Sequence, residues 1–304
     1  MNKSLAGALC LSLAASIWGG MYVVSKYVLD FIPPITLVWL RYAVAFLFLY
    51  GILWWSRRNE LNRKQLTSKD WLLLGWIGFI GYFVSISFQF IGTKYSDAHT
   101  GALITSATPA FMVLFGRLVL KESLTLRKTG AFLLSFAGVV TVHGWQAQSP
   151  GYQWGMLMLV GAAVTWALLS VYVRLASERM SSLTITTYAI LFALLFTTPF
   201  AWREAAAQTV SFNSLTVLGV LYLGIVSTAG AFFLWNKGME LMEASVGSLF
   251  FFFQPVVGTL LGWLLLKEHL SASFFVGGAL ILLGVFIATW QPKQLQSNFL
   301  KEDL

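Results

Sequence analysis

A block of this chain is written twice. Ala98, Gly101, Pro109, Gly116, Lys121-Glu122, Leu124 and Gly138 recur 146 positions later as Ala244, Gly247, Pro255, Gly262, Lys267-Glu268, Leu270 and Gly284. A second stretch returns at an offset of 148, carrying Gly7, Trp18, Lys26 and Thr36 to Gly155, Trp166, Arg174 and Thr184. The duplication covers most of the chain and restricts its fold to two halves built on one plan. Whatever the protein does is expected to happen between them.

The environment of those halves follows from composition. Hydrophobic residues make up 58% of the chain and charged residues only 11%, about half the charge of an ordinary soluble domain. Crossing a hydrocarbon layer of about 30 Å takes about 20 apolar residues in a helix. The chain offers ten such runs, at 5–27, 35–55, 71–92, 99–119, 128–146, 154–174, 183–202, 215–235, 245–266 and 273–291. The short alternating segments of an outer-membrane barrel are absent from the sequence. The predicted fold is an all-α integral membrane protein. Its ten transmembrane helices form two inverted five-helix repeats, 1–146 and 147–292, followed by a cytoplasmic tail, 293–304. The first run continues at spanning length through Val24 with no convincing cleavage site and reads as a retained helix. Cys10 is the only cysteine, which leaves no disulfide framework and no cysteine metal site.

Lys and Arg set the orientation. Arg57, Arg58, Arg63, Lys64 and Lys69 follow the second run, and Arg117, Lys121, Arg127 and Lys128 follow the fourth. With the amino terminus inside, 15 of the 20 cationic residues face the cytoplasm, four lie outside and Arg41 lies within a helix. Both termini are then cytoplasmic. The net charge of +8 is accounted for by topology and anionic lipid, with no nucleic-acid partner required.

Five spans per half mean that the second copy enters the membrane from the opposite side. Such inverted repeats let one fold present equivalent gates to both faces around a central site. Trp18, Tyr22 and Lys26 share one face of the first helix, and Trp166, Ser170 and Arg174 form the corresponding stripe of the sixth. The cations either snorkel to an interface while the tryptophans pack, or the two stripes wall a substrate path. Pro109 and Pro255 stand mid-span in the fourth and ninth runs, as paired bends that shape the bundle or as gates.

The ordered motifs Ser16-Ile17-Trp18-Gly19-Gly20-Met21-Tyr22-Val23-Val24-Ser25-Lys26, Pro33-Pro34, Leu40-Arg41-Tyr42 and the block from Ala98 to Gly138 resemble the drug/metabolite transporter superfamily, specifically proteins with two EamA-type domains. The resemblance spans the whole chain. It implies a ten-helix exporter or facilitator of small metabolites in a bacterial cytoplasmic membrane, with its site near mid-membrane. The short four-helix relatives in that superfamily use an intramembrane glutamate in their first helix for proton exchange. Here no acidic residue precedes Asp30, so neither that relay nor a strong cation site is expected.

What remains inside the helices is polar and aromatic. Gln89, Ser170, Gln254, Arg41, Thr105, Ser106, Thr108, Ser227, Thr228 and Asn236 lie near Tyr22, Tyr82, Tyr188, Trp18, Trp166 and Trp235. Rings that cover an apolar side chain, with amides and hydroxyls for a polar head group, suit an amphipathic solute such as an aromatic or large neutral amino acid. Sugar-phosphate relatives are expected to place several cations inside, whereas here only Arg41 qualifies. Arg41, about 9 Å inside the outer end of its helix, either snorkels or pairs with a substrate carboxylate or an outer gate. His99, beside Asp97, either titrates at a helix mouth or serves as a structural hydrogen-bonder. Lys121-Glu122 and Lys267-Glu268 read as hairpin anchors, followed by caps at Thr125 and at Ser271 or Ser273.

No ATP-binding motif, cofactor site or metal-ligand spacing is present in the sequence, and no nucleophile, base and orienter combine into an enzyme site. Three uses remain: export of metabolites, export of toxic organic compounds, and a non-transporting receptor or scaffold. Two internal repeats make a dimer unnecessary for building the inverted pair, so a monomer suffices.

Overall fold

The structure, a computed structural model, describes residues 3–57, 66–120, 126–143, 150–241, 250–251 and 253–289. Lys121-Glu122, Thr125, Ala244, Gly247 and the tail from Lys293 lie outside the described residues. The regular secondary structure of the described residues is all helical, as lipid demands, because a helix satisfies its own backbone donors and acceptors. In order come α1 (Lys3–Val28), α2 (Pro34–Arg57), α3 (Ser68–Ile77), a π-helical segment Gly78–Ser85, α4 (Ile86–Tyr95), α5 (Ala98–Thr105), α6 (Thr108–Leu120) and α7 (Leu126–His143). The second half has α8 (Pro150–Ser177), α9 (Ser182–Ala207), α10 (Ser214–Leu221), a π-helical segment Tyr222–Gly230, α11 (Ala231–Leu241), α12 (Phe253–Leu266) and α13 (Ala272–Thr289).

Seven stretches of the described residues have the length and apolarity of a membrane crossing: 5–28, 34–56, 68–95, 98–119, 150–177, 182–207 and 214–238. The fifth, ninth and tenth apolar runs are helical as well, over Leu126–His143, Phe253–Leu266 and Ala272–Thr289. Seven of the ten expected runs thus have crossing length among the described residues, and the other three are helical. Apolar side chains cover the outside too, with Leu47, Leu72 and Leu265 well exposed. Exposed tryptophans stand near helix ends, Trp54 and Trp55 on α2 and Trp202 on α9, where amphipathic rings sit at membrane interfaces.

Hydrogen bonds between turns show the inversion. Lys26 of α1 donates to carbonyls of Thr93, Lys94 and Ser96, Ser211 N donates to Phe31 O, and Thr100 lies 3.2 Å from Tyr152 near the start of α8. The end of α1 and the start of α8 therefore share one face. The start of α1 is at the other face, where a side chain on Gly238 would strike Leu11 and the Gly7 carbonyl. Trp18, Tyr22 and their neighbours on α2, α4, α9 and α11 form one buried core, and α5, α6, α8 and α13 enclose a second around Ile104 and Leu159.

The two π segments occupy equivalent positions in the repeats, and no residue pattern in the sequence announces them. At the offset of 146, Gly78 maps to Gly224, Gly81 to Ser227 and Tyr82 to Thr228. A π turn disrupts the regular ladder and frees a carbonyl for an outside partner. Tyr82 O accepts from Tyr42 Oη, and Ser227 O accepts from Trp18 Nε1 at 3.1 Å.

Pro109 differs from a mid-helix kink. Residues 106–107 form a turn, and Pro109 is the second residue of α6, in a first turn where proline's missing donor costs little. Pro109 thus begins a helical segment in the middle of its apolar run, and Pro255 is the third described residue of α12.

Candidate functional site

A cavity lies between the repeats. Trp18, Met21, Ser85, Ile86, Gln89, Thr105 and Thr108 line it from the first half, and Ala162, Trp166, Phe232, Phe251 and Gln254 from the second. Its volume is about 30 Å³, room for roughly two waters. The aromatic side chains fill most of the space that the sequence reading assigned to a solute. Trp18 is at their centre, with ring centroids 5.8 Å from Trp166 and Phe232, 5.2 Å from Trp235 and 6.1 Å from Phe251. Tyr82 stacks on Phe232 at 4.9 Å.

One polar chain joins four helices beside those rings. Gln89 Nε2 of α4 donates to Tyr22 Oη of α1, and Gln254 Nε2 of α12 donates to Thr105 Oγ1 of α5 at 2.6 Å. Thr105 gives its proton to Gly101 O at 2.8 Å. The 2.6 Å contact between Tyr22 and Thr105 is therefore donated by the phenol, since each hydroxyl has a single proton. The network ties the two repeats together across the cavity wall.

Arg41 is fully buried and does not snorkel. Its Nε donates to Thr228 Oγ1 at 2.7 Å, Nη2 approaches Ser227 Oγ at 3.4 Å, and Nη1 lies 3.6 Å from Met21 Sδ. The π segment Tyr222–Gly230 supplies both hydroxyls, and the guanidinium lies 4.9 Å from the Phe90 ring centroid. No carboxylate among the described residues forms an ion pair with it. Placing a guanidinium at a helix centre costs about 2.5–3.5 kcal/mol, here offset by neutral acceptors and ring faces.

Charged groups outside this centre fasten helix ends on one face of the bundle. Lys26 closes the carboxyl end of α4, and Glu204 accepts from Thr36 N at 2.6 Å and Thr36 Oγ1 at 2.8 Å near the start of α2. Glu268 takes the amino end of α5, accepting from Ala98 N at 2.7 Å, His99 N at 3.1 Å and His99 Nδ1 at 2.7 Å. Two features aim that carboxylate. Lys267 turns with φ 54°, and Gly262 leaves a gap in which a Cβ would meet Glu268 Oε2 at 2.4 Å. The expected anchor at Lys267-Glu268 is thus a cross-repeat cap.

Burial alone pushes the Glu268 carboxyl up, but the bond from the His99 ring and those from the Ala98 and His99 amides hold it below the usual carboxylate range. A depressed carboxyl contributes stability that is complete above the ordinary value near 4.3 and is lost as pH falls through the folded value. Thermal unfolding in detergent from neutral to about pH 3 is expected to show that loss, and Glu268→Gln is expected to flatten it. Glu268→Ala, which strands three buried donors, is expected to cost about 1–3 kcal/mol at neutral pH.

The family model for EamA-like transporters matches this chain twice, over residues 5–143 and 153–290. The chain belongs to the EamA-like transporter family. The uncharacterized transporter YetK of Bacillus subtilis is 29% identical over 301 residues, covering 97% of this chain and 90% of that protein. An uncharacterized transporter of Archaeoglobus fulgidus is 25% identical over 289 residues, covering 94% and 98%. A solved crystal structure of a protein, 23% identical, aligns with a TM-score of 0.65 over 93% of this chain and 96% of its own, and shows the fold.

In this EamA-like transporter, Trp18, Gln89, Trp166 and Gln254 line the cavity, and Tyr22 joins it through the polar chain. Tyr82 and Trp235 belong to the aromatic cluster just behind the lining, and Arg41 lies behind Met21. Three expected residues lie elsewhere. His99 is held by Glu268 at the bundle face. Ser170 turns back on its own helix, donating to Trp166 O at 2.8 Å. Tyr188 packs on Trp71 with centroids 4.9 Å apart. Thr105 and Thr108, both polar residues named from the sequence, also line it, and Met21, Ser85, Ile86, Ala162, Phe232 and Phe251 complete the lining. Phe232 had a signal, since it lies three residues before Trp235 on one helix face, but the apolar others look like any buried residue in a sequence this hydrophobic.

Proposed function

We propose that this EamA-like transporter exports small amphipathic metabolites, foremost aromatic or large neutral amino acids, by alternating access through the cavity between its repeats. It does so from the cytoplasmic membrane of a bacterial cell, with both termini inside. The observation carrying this reading is the cavity wall itself: rings from both repeats adjoin amide and hydroxyl groups that join the repeats. A solute with an apolar side chain and a polar head group meets a complement for each part. At about 30 Å³ the cavity admits no amino acid, so the reading takes this as the closed arrangement. Binding then requires Trp18 and Trp166 to part from Phe232 and Phe251. Pro109, opening a helical segment beside the wall, and Pro255, next to the lining residue Gln254, are proposed as the joints of that movement.

The test is uptake and counterflow of labelled amino acids in proteoliposomes, with and without an imposed pH gradient. Saturable flux of phenylalanine or leucine, accelerated by unlabelled solute on the far side, is the expected result. Absence of flux across a broad metabolite panel, from protein shown to be folded and inserted, would return the chain to the receptor or scaffold reading. A response to the pH gradient would assign proton coupling, and its absence exchange or facilitated flow.

A further inference from the structure

We propose that Arg41 selects the charge of the solute, making the cavity a site for compounds that carry a carboxylate. The inference rests on the transporter reading and names the substrate class for that same site. Arg41 is completely buried in the membrane-spanning core, and the groups around it are neutral: Thr228 Oγ1, Ser227 Oγ, Met21 Sδ and the rings of Phe90 and Tyr42. Those contacts engage its donors, and no carboxylate among the described residues balances the positive charge. A buried charge in low dielectric attracts an anion far more strongly than the same charge in water.

The route from guanidinium to cavity is one side chain long. Met21 touches Arg41 Nη1 through its sulfur and also lines the cavity. Methionine is unbranched, with three rotatable bonds, so a change in its rotamer opens the path between the guanidinium and the cavity without moving backbone. The other lining groups carry no formal charge. The described acids Asp30, Asp70, Asp97, Glu178, Glu204, Glu240 and Glu268 stand at helix ends or in turns. A carboxylate entering the cavity is therefore the one partner that balances Arg41. The planar fork matches it with two parallel donors, while Gln89, Gln254 and the hydroxyls serve an ammonium or other polar group. A cationic solute meets repulsion and no acid.

The experiment separates the parts of the solute. In proteoliposomes, uptake of labelled phenylalanine is competed with 3-phenylpropionate, which keeps only the carboxylate, and with phenylalaninamide, which loses it. The expected result is competition by 3-phenylpropionate at least about tenfold stronger than by the amide, equivalent to about 1.4 kcal/mol. In Arg41→Gln, folded by size exclusion and thermal unfolding, that preference is expected to vanish. Equal competition by acid and amide in the wild type overturns the assignment while leaving the transporter reading intact. A folded Arg41→Gln that keeps the preference overturns it too. Absence of phenylalanine and wider-panel flux sinks both readings together. Should Arg41→Gln not fold, Arg41→Met decides, since it removes the charge while an unbranched apolar side chain fills the same buried space. A raised half-saturation concentration for carboxylates, with inhibition by the amide unchanged, supports the proposal, and wild-type kinetics for both would contradict it.

Discussion

Replacing Trp18 by alanine is expected to abolish flux and destabilise the protein by about 3–5 kcal/mol, the range for emptying a buried tryptophan site. The size follows from position. Trp18 is in contact with four aromatic rings of the second repeat, three of them on the cavity wall (Trp166, Phe232 and Phe251) and Trp235 behind it, and its indole N–H is the donor that satisfies Ser227 O in the π segment. Alanine leaves a void between the repeats and a buried carbonyl with no partner, two costs that add. Trp18→Phe separates them: the ring remains and the donor goes. It is expected to recover most of the thermal stability while flux stays below the wild type, because Ser227 also approaches Arg41. Thermal unfolding followed by fluorescence, beside proteoliposome uptake, reads both effects. Wild-type flux in a folded Trp18→Ala protein would remove the aromatic wall from the mechanism.

The second large effect is expected at a glycine. A Cβ on Gly19 would lie 2.7 Å from Gln254 O, 2.8 Å from Val257 Cβ and 2.9 Å from Gly258 N, and a Cβ on Gly258 would lie 2.5 Å from Ala102 Cβ. Here α1, α12 and α5 approach almost backbone to backbone, the close packing that small residues permit between membrane helices. Two of those contacts are main-chain atoms that no rotamer change relieves. Gly19→Val is therefore expected to force α1 and α12 apart, to cost about 1–3 kcal/mol or more as overpacking, and to pull Gln254 off Thr105. Gly51→Val supplies the control, because nothing lies within 4 Å of a Cβ there. The expected outcome is a lowered unfolding temperature and lost flux for Gly19→Val, with Gly51→Val close to the wild type. Similar stability in the two variants would contradict the close crossing.

The fold was readable where a signal was either long or repeated. Apolar runs disclosed the helices, and an odd number of runs per copy disclosed the inversion that the shared face of Lys26 and Tyr152 displays. Local interruptions were less visible. The π segments Gly78–Ser85 and Tyr222–Gly230 have ordinary apolar composition, so only their equivalent positions mark them. Proline showed where a helix is perturbed but not that 106–107 forms a turn before it. At the site, the polar residues in apolar helices found Gln89, Gln254 and Thr105, because an amide or hydroxyl in lipid needs a partner. The same reasoning gave equal weight to Ser170, which satisfies itself on the preceding turn, and to His99, which Glu268 engages from far along the chain. Such pairings depend on which helices meet, a property of packing that spacing along one helix does not contain. Lys26 and Arg41 illustrate the limit: a snorkelling cation, a helix-end cap and a charge buried among neutral groups are alike in sequence.

The most direct measurement of alternating access uses cysteine reactivity from the two sides of the membrane. Cys10 is the only cysteine, so Cys10→Ala gives a blank background. Thr93→Cys stands one turn from cavity-lining Gln89 toward the Glu268 face, and Asn236→Cys stands one turn from cavity-lining Phe232 toward the opposite face. Each is labelled with an impermeant maleimide added from one side of sealed vesicles, with and without a saturating transported amino acid. Reciprocal change is expected: conditions that raise reactivity at one position lower it at the other. Simultaneous access at both positions, or changes of the same sign, would contradict a single site that opens to one face at a time.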